Sequence, residues 1–364
     1  MSKLTKFLKS PGLFFYDAYN KRMAKKKQST YNTFLIGANV SYVEIEVAVY
    51  FYGSLKVIYQ LEQWYKTFSI LNETHKVVFV VRDKNVFQHL ALKTSHRVVH
   101  ANSLDNLMEL YDKNNFKVVL YVNNGVKNFQ SLMFSGGLHV HINHGESEKA
   151  SMSSNQAKAY DYVLSAGDAG IDRYRKKLLK FDAKKFIKVG RPQLDFIESH
   201  TNVLNPSLPT LVYAPTWEAT HELMNYSSLS AYGFEMFKLI FDSNKFNIIY
   251  KPHPATGSLD KEVLNNHNKI KDLIRNHLHE VNENREIIPR LEIVENTSIN
   301  SVFKAVDIAV FDNSSVMIDY LVEDKPILLT NRFKEKEEKF KIVDACQLVD
   351  DVNYLNIVQL LIEN

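Results

Sequence analysis

Short apolar runs alternate along this chain with longer amphipathic stretches, the order expected of an α/β protein. In the first half the pattern predicts strands over Thr33–Ala38, Lys76–Val81, Lys117–Val122, Leu138–Asn143 and Tyr162–Ser165, with helices over Ser54–Phe68 and Leu104–Tyr111. The second half repeats the alternation. Strands are predicted over Thr210–Ala214, Asn247–Lys251, Glu292–Val294, Ile308–Phe311 and Pro326–Leu329, and helices over Tyr232–Phe241, Lys261–Leu278 and Ser315–Val322. With no repeat and no low-complexity tract, this order predicts two Rossmann-like halves. Ser199–Pro209, polar with two prolines, is the candidate linker. The run Lys334–Lys339 reads as a solvated helix face with i,i+4 pairs, and a last helix is expected over Asn353–Ile362.

Composition agrees with two domains. At 364 residues and 45% hydrophobic content the chain can bury two cores, and two domains make a cleft. A single cysteine, Cys346, rules out a disulfide framework within the chain and fits a reducing cytoplasm. No secretory signal is visible, and no apolar run approaches the ~20 residues that span a bilayer. The formal charge of +4 and pI near 8.7 are too mild to indicate nucleic acid, and no zinc-finger, RNA-binding or basic-helix signature supports that partner.

The distribution of charge says more than its total. Lys3, Lys6, Lys9, Lys21, Arg22, Lys25, Lys26 and Lys27 face only Asp17 in the first 27 residues, interleaved with Leu4, Phe7, Leu8, Leu13, Phe14, Phe15, Tyr16 and Tyr19. Such an arm suits an anionic membrane surface, with bases among headgroups and aromatics in the interface. Its alternative is a short helix packed on its own domain beneath a solvated lysine cluster.

Candidate chemistry gathers where apolar runs end. Val310–Asp312 is a buried-strand pattern running through Asn313, Ser314 and Ser315 into an amphipathic helix. Backbone N–H groups of a helix's first turn lack intrahelical partners, and serine hydroxyls add donors, so phosphate is a natural ligand there. Asp319, one turn along, is placed to reach a ribose or other hydroxyl; the plainer reading is an ordinary capped helix after a strand. Leu138–His144 alternates and breaks at Gly145, setting His144 at a strand's carboxyl end, and Asn247–Lys251 leads through Pro252-His253-Pro254. A fourth strand end is Tyr213-Ala214-Pro215-Thr216-Trp217. Open α/β sheets bind ligands at such ends. Taken singly, a histidine among thirteen is more often structural than catalytic.

In order, His144-Gly145 with Lys149, Tyr213 to Trp217, His253-Pro254, Asp312 to Ser315, Asp319-Tyr320-Leu321 and Lys325-Pro326-Ile327-Leu328 resemble the CDP-glycerol glycerophosphotransferase family, which primes and polymerises teichoic acids and related capsules. Gly190-Arg191-Pro192-Gln193-Leu194-Asp195 is similar to that family's Gly-x-Pro-x-x-Asp turn. The likeness runs from about Leu138 to Thr330. Its departures lie near the first histidine: the family's Trp-His-Gly-Thr-Pro-x-Lys is here Asn143-His144-Gly145-Glu146-Ser147-Glu148-Lys149. Two carboxylates beside a base would raise its pKa or face an unusual acceptor. In the turn, Arg191 and Gln193-Leu194 replace the commoner Tyr and Arg-Asn.

The resemblance implies a GT-B-like fold, two Rossmann-like domains facing each other across a cleft with a basic amphipathic N-terminal arm. The expected division is 1–27 arm, 28–198 acceptor domain, 199–209 linker, 210–345 nucleotide-donor domain, and 346–364 a C-terminal helix returning to the N-terminal domain. It implies transfer of an alditol phosphate, glycerol phosphate first, from a CDP-linked donor to a lipid-linked or polymeric saccharide acceptor, with CMP released at the inner face of the cell membrane. His144 is then the base and His253 the donor to the diphosphate. Thr216, Asn313, Ser314 and Ser315 would hold phosphate, Asp319 a donor hydroxyl, and Lys149 and Glu146 the acceptor. No metal and no cofactor is expected, since no Asp-x-Asp stands at a strand end and the histidines lack zinc spacing. Three alternatives stay open: a glycosyltransferase of the same shape using a nucleotide sugar, an inactive scaffold in capsule assembly, and a sugar-nucleotide epimerase.

Overall fold

The computed structural model describes residues 45–147, 149, 152–196, 204–219, 225–283, 290–295, 297–331 and 345–363. The expected strand Thr33–Ala38, the basic arm and the run Lys334–Lys339 lie outside these residues. Contacts divide the chain into two compact units. One is built on the chain up to Ile142 with Lys158–Val163, the other on Asn143–Ala157 with the chain from Leu164 onward.

The first sheet has seven strands: β1 (Val47–Phe51), β2 (Val77–Val81), β3 (Arg97–His100), β4 (Val118–Tyr121), β5 (Leu138–His141), β6 (Tyr162–Ser165) and β7 (Phe186–Lys188). Their order is β3-β2-β1-β4-β5-β6-β7, and the registered pairs from β3 to β6 are parallel. Every residue of β1 and β2 is buried. Parallel strands covered on both faces read as continuous apolar runs, not as alternation. That is why Val47–Phe51, five apolar residues ahead of Gly53, is a strand although alternation does not mark it.

Helices α1 (Tyr65–Thr74), α2 (Lys84–Lys93) and α3 (Leu104–Lys113) follow β1, β2 and β3. Asp83 caps α2 by accepting from the N–H groups of Asn85 and Val86, and Ser103 caps α3 by accepting from that of Asn106. The single helix expected over Ser54–Phe68 is broken into turns at Leu55–Val57 and Tyr59–Glu62 before α1 begins. Tyr50, Phe51 and Trp64 are buried in the core, and Tyr52 stays half-buried. Helix α4 (Asp168–Lys177) separates β6 from β7.

The second sheet comprises β8 (Thr210–Ala214), β9 (Asn247–Tyr250), β10 (Leu291–Ile293), β11 (Ile308–Asp312), β12 (Ile327–Thr330) and β13 (Gln347–Val349). All pairs are parallel, in the order β10-β9-β8-β11-β12-β13. Five of these strands coincide with those read from the apolar runs to within a residue or so, and β13 is additional. Helices α5 (Gly233–Asp242), α6 (Lys261–Glu283), α7 (Ser315–Tyr320) and α8 (Tyr354–Glu363) complete the unit.

The buried face of helix α8 joins the core of the second sheet: Val358 packs in one cluster with Tyr213, Phe237 and Val349, and the Tyr354 ring stacks on Tyr232 at 5.2 Å. The helix expected over Asn353–Ile362 is thus present and packs in part against α5. Among the described residues no helix is long and apolar enough to cross a membrane.

In each sheet the chain runs outward from one strand to one edge and then resumes on that strand's other side. This sets a topological switch point between β1 and β4 in the first sheet and between β8 and β11 in the second, the places where loops diverge and leave a crevice at the carboxyl ends.

Candidate active site

At the switch point of the second sheet, β8 leads into Pro215-Thr216-Trp217 and β11 into Asn313-Ser314-Ser315. Asp312, fully buried, ties the two together. Its carboxylate accepts from the Thr216 N–H at 2.7 Å, from the Ser228 N–H at 3.2 Å and from the Thr330 hydroxyl. Burial pushes its pKa up, and these donors oppose that shift. A strand-end aspartate whose oxygens accept from these main-chain and hydroxyl donors fixes the loop after β8. The Thr216 hydroxyl, so held, accepts from Lys149 Nζ at 3.1 Å.

Lys149 is half-buried, with its ammonium 5.6 Å from the Tyr226 ring centre. Desolvation lowers its pKa to about 8, with the Asp312 charge acting against the shift. Lys149 therefore carries its proton at neutral pH and loses it just above.

His253 follows β9 on the Pro252-His253-Pro254 exit. Its Nδ1 accepts the Ala255 N–H at 3.1 Å, so the neutral ring carries its proton on Nε2. The ring stacks on Trp217 at 6.0 Å. Burial first, then the charges of Lys149, Lys251 and His144, depress its pKa to about 3. The side chain is thus a neutral Nε2–H donor in a region of positive potential. Lys251 itself is buried, its pKa lowered by desolvation.

The loop after His253 is locked by Glu218, which sequence reading left without a role. Fully buried, its carboxylate accepts from the N–H groups of Gly257 (2.9 Å), Leu259 (2.7 Å) and Asp260 (3.2 Å). An acid directly after Pro-Thr-Trp at a strand end is the signal that could have pointed to it.

His144 leaves β5 through Asn143, a non-glycine residue at φ 58° whose side chain accepts the His144 N–H at 2.9 Å. Asparagine tolerates this left-handed conformation better than most residues. Next comes Gly145, where a Cβ would lie 2.7 Å from Ser315 Cβ and 2.9 Å from its Oγ. The glycine lets the His144 turn press against the serine tip of α7. Ser314 occupies the N-cap position of α7 but makes no side-chain capping bond. Helix α7 has six residues, under two turns, so its dipole contributes little and the hydroxyls are the principal donors. Asn313 is buried, and neither its Oδ1 nor its Nδ2 has a partner among the described residues.

Two of the expected site residues make contacts that the sequence did not predict. Both carboxylate oxygens of Asp319 are paired with Arg191, Nε–Oδ1 at 2.7 Å and Nη2–Oδ2 at 3.0 Å, with both side chains nearly sealed from solvent. Burial raises the Asp319 pKa and the Arg191 guanidinium opposes this. Arg191 Nη2 also donates to the His144 carbonyl at 3.3 Å, so one side chain joins α7 to the His144 turn. Glu146 is engaged within its own unit. Buried, it accepts from the Ser165 hydroxyl at 2.9 Å and the Ala166 N–H, and lies 3.6 Å from Arg173 Nη1. Its charge is compensated there by Arg173.

The structure therefore brings His144, Lys149, His253, Thr216 and Ser315 into one web of contacts and adds Asp312, Glu218, Arg191 and Lys251 as residues that position or charge it. Similar folds occur among enzymes of nucleotide-linked sugars. A Listeria monocytogenes protein assigned as a UDP-N-acetylglucosamine 2-epimerase superposes with a TM-score of 0.58 at 12% identity, over 88% of this chain and 89% of that one. The UDP-GlcNAc 2-epimerase of Neisseria meningitidis, bound to UDP-GlcNAc, gives 0.55 at 13% identity, over 88% and 92%. A glycosyltransferase from Rickettsia africae gives 0.51 at 15% identity, over 88% of each chain. These likenesses establish the GT-B-like fold of two parallel-sheet α/β domains and nothing finer. No curated protein is similar enough in sequence to count as a match. The sequence model of the CDP-glycerol:poly(glycerophosphate) glycerophosphotransferases matches residues 16–336.

Proposed function

We propose that this chain, which belongs to the CDP-glycerol:poly(glycerophosphate) glycerophosphotransferase family, transfers glycerol phosphate from CDP-glycerol to a hydroxyl of a lipid-linked or polymeric saccharide acceptor and releases CMP. We assign the donor to residues 210–345 and the acceptor to 28–198. The product would be a teichoic-acid-like or capsule polymer made at the inner face of the cell membrane, with the arm 1–27 as the membrane contact.

The observation that carries this reading is the state of His253. Lys149 and Lys251 place positive charge around it, and a neutral Nε2–H donor stands on a locked loop at the end of β9, beside the sheet's switch point. A diphosphate supplies the missing anion. Its arrival would reverse the potential at His253 and raise the imidazole pKa, so that the ring can donate to, and then protonate, the departing CMP phosphate. The acceptor oxygen attacks the phosphorus that bears glycerol, the bond to CMP breaks, and the acceptor's proton passes to His144. Positioning and charge stabilisation dominate phosphoryl transfer. Lys149, held by Thr216, would offset charge on the transferred group, while the Ser314 and Ser315 hydroxyls and the Asn313 amide hold the remaining phosphate oxygens.

The test is incubation with radiolabelled CDP-glycerol and CDP-ribitol beside UDP- and CMP-sugars. CMP together with labelled alditol phosphate on acceptor is expected from a CDP-alditol alone. His144→Ala and His253→Ala should each lose well over tenfold in turnover while keeping their circular dichroism. Transfer from a UDP-sugar instead, or two variants as active as the parent, would remove the assignment.

A further inference from the structure

The first sheet has its own switch point, between β1 and β4, and the side chains gathered there have no part in the site described above. Tyr52 follows β1, Arg82 follows β2, and Lys127 stands in the segment after β4. Lys127 Nζ donates to the Tyr52 hydroxyl at 2.6 Å and lies 4.0 Å from the centre of that ring. The Arg82 guanidinium carbon sits 5.3 Å from the same centre. Arg82 Nη1 donates to the Tyr50 hydroxyl at 3.1 Å and to Gln130 Oε1 at 2.8 Å, which fixes the plane of the guanidinium. Its Nε–H is buried without an acceptor.

Two cations thus share one phenol ring, and neither forms an ion pair with any carboxylate among the described residues. The nearest acid in sequence, Asp83, is engaged as the N-cap of α2. Like charges at this spacing repel, and a cation–π contact with one shared ring only partly offsets that. Charges retained merely for solubility would point apart into water. Here polar partners hold one of them in place, at the crevice where open α/β sheets take their ligands.

The geometry points to an oxyanion-binding subsite made by Arg82 and Lys127 over Tyr52, which takes a phosphodiester group of the acceptor chain. An arginine fork beside a lysine ammonium matches phosphate oxygens, and the edge of Tyr52 supports the flanking alditol carbons. The existence of the site does not depend on the proposed reaction; the identity of its ligand as the acceptor does.

The full chain labelled with 3-fluorotyrosine tests it, with the Tyr52 resonance assigned from Tyr52→Phe. Titration with inorganic phosphate and with sn-glycerol 3-phosphate, chloride serving as the ionic-strength control, should move that resonance saturably. Lys127→Gln, at an exposed position, should weaken the response about tenfold, the effect of deleting one charged donor to an oxyanion. Arg82→Gln should do the same and Arg82→Lys should restore part of it. In the transfer assay Lys127→Gln should raise the acceptor KM about tenfold while the CDP-glycerol KM and kcat stay within twofold. Absence of a saturable shift in the parent protein overturns the site. A shift with an unchanged acceptor KM overturns its assignment to the acceptor. If no transfer is found with any CDP-alditol, the proposed reaction has failed, and the fluorine titration still judges the subsite.

Discussion

Replacing Arg191 by methionine separates the structural from the catalytic part of the clamp on α7. The substitution keeps most of the side-chain volume and removes both bonds to Asp319 and the one to the His144 carbonyl. Breaking a buried ion pair by deleting one partner costs about 3–5 kcal/mol, because the remaining charge stays desolvated. For a unit of roughly 200 residues that is roughly 6–20 °C in the midpoint of its unfolding transition. The cost must also depend on pH. Asp319 already has a folded-state pKa above its value of 3.8, and without Arg191 it rises further. A group whose pKa is raised on folding favours the folded state while protonated, and that contribution is lost as pH climbs through the folded pKa. The deficit of Arg191→Met should therefore be largest near pH 7 and shrink by about 1.4 kcal/mol per unit as pH falls from the variant's folded pKa towards the parent's, itself above 3.8. Urea unfolding of parent, Arg191→Met, Asp319→Asn and the double variant at a series of pH values measures this. Arg191→Met/Asp319→Asn should recover most of the stability but not the turnover, which should stay about 10²-fold low because nothing then holds the His144 carbonyl. A deficit independent of pH, or a double variant no more stable than Arg191→Met, would refute the account of the clamp.

Lys149, with a pKa of about 8, should give the free enzyme a descending limb in kcat/KM for CDP-glycerol as pH rises through 8, seen in initial-rate pH profiles; Lys149→Met should be slower throughout and lack that limb, whereas Lys149→Arg should carry it to higher pH. Gly145→Ala must push Ser315 aside from a 2.7 Å contact, so we expect a loss of about 1–3 kcal/mol in denaturant unfolding and more than tenfold in turnover. Since Lys149 and Lys251 supply positive charge around the proposed diphosphate and His253 a neutral donor, activity should survive dialysis against EDTA, and a strict requirement for Mg²⁺ would count against this site.

Much of this protein was determined by its sequence alone, because the relevant signals are local. The strands of the second sheet announce themselves as apolar runs ended by proline or small polar residues. The four strand-end motifs around His144, Thr216, His253 and Ser314 are legible for the same reason. Strand β1 was missed because a strand covered on both faces loses the alternation that marks a half-buried one.

Only the tertiary structure decided what each polar side chain faces. Asp319 and Arg191 stand 128 residues apart, and nothing near either one tells that they pair in a buried clamp. Glu146 lies two residues from His144, and nothing local tells that its carboxylate meets Arg173 and Ser165. The pKa values of Lys149 and His253 follow from desolvation and from charges brought in by distant segments, and so do the two cations over Tyr52. Periodicity and turn chemistry act over a few residues, whereas electrostatic environment is a sum over everything that folds within several ångströms.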